Sequence, residues 1–179
     1  MVLIILLFII WGNTIAQKKQ GVVFNSYNSI GFVAGKLPIG FTAQTENGIK
    51  IKGWFIGAGF GIDTYFAESM PLFTAVKKEF IFKKNSFFLY AAAGENLIVK
   101  NKTIVGTFTT VQRKGGFYGD AGVGYKIITA KNSSVYFSLG NTIKKQTESA
   151  FASDVFGMPG IYYTQYKFSR IAFKLGFQF

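Results

Sequence analysis

The last nine residues of the chain alternate strictly between two kinds of side chain, and this alternation constrains the fold more than any other feature. The even-numbered positions carry Ala, Lys, Gly and Gln, whereas the odd-numbered positions carry only large apolar side chains: Ile171, Phe173, Leu175, Phe177 and Phe179. Successive side chains of a β-strand point to opposite faces. A period of two therefore predicts a strand with one wholly apolar face and one small or polar face.

The same alternation recurs in earlier segments. Between Trp54 and Asp63 the glycines Gly57, Gly59 and Gly61 occupy alternate positions, and each would destabilise a helix by about 1 kcal/mol relative to alanine. We predict an all-β chain that forms a closed antiparallel barrel of eight strands with up-and-down topology. The predicted strands are residues 28–36, 39–46, 50–65, 71–82, 86–98, 115–129, 134–147 and 162–179, preceded by a lead-in over 17–27.

The links between these strands alternate in length. The links around Asn47-Gly48, Lys84-Asn85 and Asn132-Ser133 are short, whereas those at 99–114 and 148–160 are the longest. Membrane barrels have short turns at the end that holds both termini and longer loops at the other end. The Asn-Gly pair also favours a tight two-residue hairpin turn at 47–48.

Residues 1–11 are uninterruptedly apolar. A membrane-spanning helix needs about 20 such residues, but a shorter run fits the apolar stretch of a secretory signal peptide. Thr14 and Ala16 are small, as the residues before a cleavage site are, so we expect cleavage after Ala16 and removal of residues 1–16. The alternative is a buried N-terminal strand or helix. All 20 basic and 8 acidic residues follow Ala16, so the mature chain would carry the full charge of +12.

Several segments resemble known membrane barrels. The ending KLGFQF, the segment GGFYGDAGVGYK at 115–126 and the run from Trp54 to Tyr65 resemble strands of small Gram-negative outer-membrane β-barrel proteins, the family of OmpA/OmpX-like transmembrane barrels. This resemblance, which covers most of 28–179, implies a barrel in the cell outer membrane. It also implies contacts with outer-membrane lipid and lipopolysaccharide, and recognition of the terminal aromatic residue, Phe179, by the barrel-assembly machinery.

The residues that the chain lacks exclude most catalytic chemistry. It has no His and no Cys, which excludes histidine-based triads, thiolate nucleophiles, and zinc or haem sites with those ligands. Paired carboxylates such as Asp63 and Asp120 remain, although charge pairing with lysine is the commoner role. We expect no enzymatic activity, no cofactor and no metal. Nucleic acid is not an expected partner, because the basic residues are scattered and the N-terminus indicates export.

The inward-facing positions of the predicted strands collect charges of both signs: Asp63, Lys77, Glu79, Asp120, Lys126, Lys144, Arg170 and Lys174. The interior of an eight-stranded barrel is just wide enough for side chains to fill. We interpret these residues as a lumenal network of paired charges. The alternative is a narrow path for a small anion, because the basic residues outnumber the acidic ones.

These patterns predict a non-enzymatic outer-membrane barrel with a structural or surface-interaction role, and they do not identify an external partner. The five apolar residues at the odd positions of 171–179 are then expected to face lipid. The alternative is a secreted, soluble barrel that binds an apolar ligand, as lipocalins do, in which Phe173, Leu175 and Phe177 would point inward. The direction of these three side chains distinguishes the two hypotheses.

Overall fold

Strands dominate the computed structural model, which describes residues 21–35, 38–82, 85–99, 102–105, 109–130, 133–153 and 159–179. Among these residues, no helix is long and apolar enough to span a membrane. The described strands are β1 (Val22–Ala34), β2 (Gly40–Ile51), β3 (Trp54–Asp63), β4 (Ser69–Phe82), β5 (Asn85–Ile98), β6 (Lys102–Val105), β7 (Thr109–Lys114), β8 (Gly116–Ala130), β9 (Ser133–Ser153) and β10 (Pro159–Gln178).

Eight of these strands close into an antiparallel barrel. Each pairs with its neighbour in the order β1, β2, β3, β4, β5, β8, β9 and β10. The circle closes because β10 pairs with β1, from Tyr27 opposite Gln178 to Ala34 opposite Ile171. The predicted fold class, a closed eight-stranded up-and-down barrel, is confirmed.

The strands are tilted because the barrel closes with an offset. The offset is found by stepping from each residue to its paired residue on the next strand, once around the barrel. Such a path that starts at Tyr118 on β8 comes back to β8 at Ile128, ten residues further along the strand. The path passes through Gly94, Phe73, Gly59, Glu46, Tyr27, Gln178 and Ser134. Such an offset tilts barrel strands by about 35–45° and leaves an interior that side chains can fill.

The N-terminal strands extend further than the sequence predicted. β1 begins at Val22, so residues 22–27 of the predicted lead-in belong to the barrel wall. The predicted turn at Asn47-Gly48 is wrong, because both residues lie inside β2, which continues to Ile51. A Cβ atom on Gly48 would lie 2.2 Å from the carbonyl oxygen of Ile56, so this glycine serves close strand packing rather than a turn. The predicted signal peptide, 1–16, lies outside the described residues.

The chain instead turns at Lys52 and Gly53, between the paired residues Ile51 and Trp54. Their φ angles are 48° and 78°. A two-residue hairpin turn of type I′ requires positive φ at both central positions. Glycine adopts this conformation without steric cost.

The two predicted long loops are largely folded into strands. β6 and β7 form a hairpin within 99–114, and β9 and β10 remain paired as far as Ser153 opposite Pro159, inside the predicted loop 148–160. β7 also pairs with β9, from Thr110 opposite Phe151 to Lys114 opposite Thr147. A four-stranded sheet of β6, β7, β9 and β10 therefore extends beyond the barrel wall, at the end away from both termini.

We expect Gly53→Ala to lower the free energy of unfolding by about 1 kcal/mol, because alanine is strained at this positive φ. Lys52→Asn is the control, since asparagine is favoured at the preceding turn position, and it should be neutral or slightly stabilising. Urea unfolding in lipid vesicles, followed by tryptophan fluorescence, measures both. Equal stability of the two variants would contradict this assignment of the turn.

Candidate functional site

The outer face of the barrel wall is apolar. The five residues predicted to face lipid, four on β10 and Phe179 directly after it, are all exposed on this face, and Phe173, for example, is 50% exposed. The neighbouring strands continue this surface with large exposed side chains: Ile30, Phe32, Trp54, Ile56, Phe60, Ile62, Val135, Phe137 and Leu139. The soluble, lipocalin-like alternative requires Phe173, Leu175 and Phe177 to point inward, which the structure contradicts.

The inner face carries the charges. Each of the eight predicted lumenal residues is at most 5% exposed: Asp63, Lys77, Glu79, Asp120, Lys126, Lys144, Arg170 and Lys174. Burying an unpaired charge is costly. The partners of these groups therefore decide whether the lumen is stable, and the partners lie in four layers along the barrel.

The first layer, at the end that holds the termini, is centred on Glu79 of β4. Its carboxylate accepts hydrogen bonds from Lys126 and Lys50, each at 2.5 Å, and from the Tyr27 hydroxyl at 2.5 Å. Lys126 also donates to Gln178 at 3.0 Å. This layer joins five strands through side chains.

The second layer holds Lys77, whose ammonium group lies 3.1 Å from the Glu46 carboxylate. Its Nζ atom is also 4.1 Å from the centre of the Tyr27 ring. Four more ring centres lie within 5.9 Å, those of Phe55, Phe88, Tyr90 and Tyr136. Aromatic faces attract cations, so these rings stabilise a buried ammonium group that has a single carboxylate partner among the described residues.

The third layer crosses the full width of the barrel. Asp120 of β8 is paired with Lys174 of β10, and Lys174 also donates to the Gln44 amide at 2.8 Å. Gln44 of β2 in turn donates to the Tyr118 hydroxyl at 2.7 Å. Because β2 and β8 lie on opposite sides of the barrel, this chain of bonds spans the lumen.

The fourth layer closes the opposite end. Lys144 of β9 donates to Asp63 of β3 at 2.5 Å, and Ser69 donates to the same carboxylate at 2.7 Å. The Tyr65 ring packs against this layer, with Lys144 at 4.2 Å and Arg170 at 4.5 Å from its ring centre. Burial raises the pKa of the Tyr65 phenol above its usual value, so its hydroxyl stays neutral.

Rings and glycines fill the space between these layers. A Cβ atom on Gly124 would lie 2.1 Å from the Phe88 ring, and one on Gly59 would lie 2.6 Å from the Phe73 ring. The lumenal cavity beside Lys77 and Lys174 has a volume of about 10 Å³, which is about the space one water molecule needs. The interior at this level is therefore packed.

Sequence reasoning missed several members of this network, among them three on β2: Gln44, Glu46 and Lys50. All lie on β2: Gln44 and Glu46 fall inside the predicted strand 39–46, whereas the predicted turn at 47–48 separated Lys50 from that strand. Continuing the alternation of β2 to Ile51 puts the even-numbered residues 44, 46 and 50 on the lumenal face. This would have identified all three.

The remaining catalytic candidate does not form a carboxylate pair. Asp63 and Asp120 each bind a different lysine, Lys144 and Lys174, and lie in separate layers. In the part of the chain that the structure describes, no group of three or more His, Cys, Asp or Glu could hold a metal ion.

Comparison with known proteins supports the fold. Neither a protein-family model nor a curated protein sequence matches this chain. Among solved structures, the chain is similar to the N-terminal β-barrel domain of Pseudomonas aeruginosa OprF, with a TM-score of 0.54 and 12% sequence identity. The match covers 89% of this chain and 100% of that one. At this identity the likeness shows a shared barrel fold.

We expect Asp120→Leu and Lys174→Met each to lower the free energy of unfolding by about 3 kcal/mol, because each leaves the other charge buried without its partner. The double variant should lose less than the sum of the two. Urea unfolding in vesicles measures this double-mutant cycle. Lys167→Met, on the exposed face of β10, is the control and should change stability by less than about 0.5 kcal/mol. Strictly additive losses would show that Asp120 and Lys174 are not coupled.

Proposed function

We propose that the chain is a non-enzymatic outer-membrane β-barrel with a structural or surface-interaction role and a lumen filled by its own side chains. The observation that carries this proposal is the inverted distribution of side chains. Large apolar residues cover the outside of the wall, whereas ion pairs occupy the inside. This arrangement suits a hydrocarbon solvent, in which exposed charges are costly and apolar surface is not.

Membrane lipid is the proposed main partner, together with lipopolysaccharide. The barrel-assembly machinery is the proposed partner during biogenesis, through Phe179. That residue is 55% exposed on the outer face. Its backbone exchanges hydrogen bonds of 2.8 and 3.1 Å with Ser26, so it forms part of the seam between the first and last strands. Export through a cleavable signal peptide belongs to the same proposal.

The surface role is supported by the sheet that extends beyond the wall. In an outer-membrane barrel, both termini lie on the periplasmic side. The end opposite the termini, which carries β6, β7 and the ends of β9 and β10, would then face the outside. Strands hold this region in a defined shape, as recognition of an external partner requires.

We expect the protein to require detergent for extraction from membranes and to migrate faster in an unheated gel sample than in a boiled one. A closed barrel stays compact in mild detergent until heat separates its strands. Cell fractionation followed by gel electrophoresis of paired heated and unheated samples tests this. Recovery as a monomer in an aqueous periplasmic extract would overturn the proposal.

In planar bilayers, we expect the protein to give no steady ion conductance, because the third layer of the lumen bridges β2 and β8. Lys174→Glu tests the narrow-channel alternative. If the protein conducts and this variant changes the ion selectivity, the lumen is a channel and the filled-lumen proposal is wrong. Lys167→Glu, on the outer face, serves as the matched control.

A further inference from the structure

A group of polar side chains interrupts the apolar outer surface. By alternation, Ser26 and Asn28 of β1 and Thr45 and Asn47 of β2 occupy outward positions of their strands; Asn47 is exposed, Asn28 and Thr45 are half-buried, and Ser26 is only 4% exposed. They form two directly opposed pairs, Ser26 with Asn47 and Asn28 with Thr45. We call these four residues the polar island.

Apolar residues surround the polar island on every side of the wall. Along the two strands, Phe24 and Ile49 lie below it, toward the termini, and Ile30 and Ala43 lie above it. Across the strands, Phe177 of β10 is paired with Asn28, and Phe60 of β3 is paired with Thr45. The polar island therefore lies within the apolar band and not at its edge.

The hydrogen bonds inside the polar island leave several of its hydrogen-bond donors and acceptors unused. Asn28 donates to the Ser26 hydroxyl at 3.1 Å, and Asn47 donates to the Thr45 hydroxyl at 3.4 Å. Each asparagine amide has two donors and one acceptor oxygen, so each spends one donor in these bonds. Hydrocarbon supplies no partner for the remaining groups.

The surface around the polar island is also shaped to receive another molecule. A groove of about 500 Å³ crosses the wall here. Two members of the polar island, Asn28 and Thr45, line it together with Ala43. Its lining also includes the larger side chains Phe60 and Ile62 of β3 and Leu175 and Phe177 of β10. Small residues at such a surface let a second backbone approach closely.

We propose that two copies of this chain associate within the membrane through the polar island and its groove. The chemistry of the surface is self-complementary: amides and hydroxyls both donate and accept hydrogen bonds, and none of the four residues is charged. A two-fold interface brings the same patch of both copies together, so each island can satisfy the other. An acyl chain could fill the groove but would leave the amides without partners. This inference rests on the proposed membrane location.

Single-cysteine variants test the contact directly, because the chain has no cysteine of its own. We expect Asn28→Cys, Thr45→Cys or Asn47→Cys to form disulfide-linked dimers when vesicles that contain the protein are oxidised. Val123→Cys is the matched control: Val123 is 53% exposed on β8, on the opposite side of the barrel, and should give at least about tenfold less dimer. Equal cross-linking from both sides would overturn the proposal.

A second variant removes the hydrogen-bonding groups but keeps side chains of similar size. Asn28→Leu combined with Asn47→Leu should weaken association by at least about tenfold. The measurement is energy transfer between labelled copies in vesicles as the ratio of lipid to protein is raised. An unchanged transfer, or a wild-type protein that is monomeric throughout, would overturn the inference.

The gel shift on heating distinguishes these results from a failure of the proposed function. A variant that keeps the shift and stays in the vesicle fraction is a folded, inserted barrel, so loss of energy transfer then reports on association alone. Wild-type protein that is inserted but monomeric contradicts only the association. Wild-type protein that fails to enter vesicles contradicts the membrane location itself.

Discussion

The pairing of β10 with β1 is the interaction on which the rest of the structure depends. A backbone amide or carbonyl left without a partner in hydrocarbon costs several kcal/mol, so a sheet can lie in a membrane only when it has no open edge. In this chain the seam runs along eight consecutive residue pairs, from Tyr27 to Ala34 on β1, and ends in the two backbone bonds between Ser26 and Phe179. Closure also fixes which side of each strand is inside.

Closure with eight strands makes the inside narrow, and a narrow interior forces its charges to pair. Six basic side chains, Lys50, Lys77, Lys126, Lys144, Arg170 and Lys174, share the interior with four carboxylates, Glu46, Asp63, Glu79 and Asp120. Glu79 pairs with two lysines at once, and aromatic rings stabilise Lys77 and Arg170. The excess of basic over acidic side chains is thus stabilised by a carboxylate that two lysines share and by aromatic rings.

The alternation of apolar with small or polar residues made most of the barrel wall predictable from the sequence. It placed Asp120 and Lys126 inward and Phe173 and Phe177 outward, because a strand has a side-chain period of two whatever its tertiary partners are. Pairing partners are not encoded locally. The extension of β9 and β10 through 148–160 depends on their long register with each other and on β7, and no single segment carries that information.

The error at Asn47-Gly48 has a more specific cause. Asparagine followed by glycine is a strong turn signal, and the polar side chain also breaks the apolar pattern expected of an outward position. In the structure, Gly48 is needed where β2 approaches Gly57 of β3, and Asn47 belongs to the polar island. Local rules fail most often where a residue serves a demand other than folding, which agrees with the role proposed for Asn47.

The side-chain bonds of the lumen tie the interior to the order in which the wall is completed. Gln178 bonds to Asn25, Lys174 bonds to Gln44, and Tyr27 bonds to Glu79. The first two link the last strand to the first two strands, so these contacts cannot exist while the seam is open. An unfinished cylinder would leave Lys174 without Gln44 and Gln178 without Asn25, so these side chains gain their partners only when the last strand has met the first in the correct register.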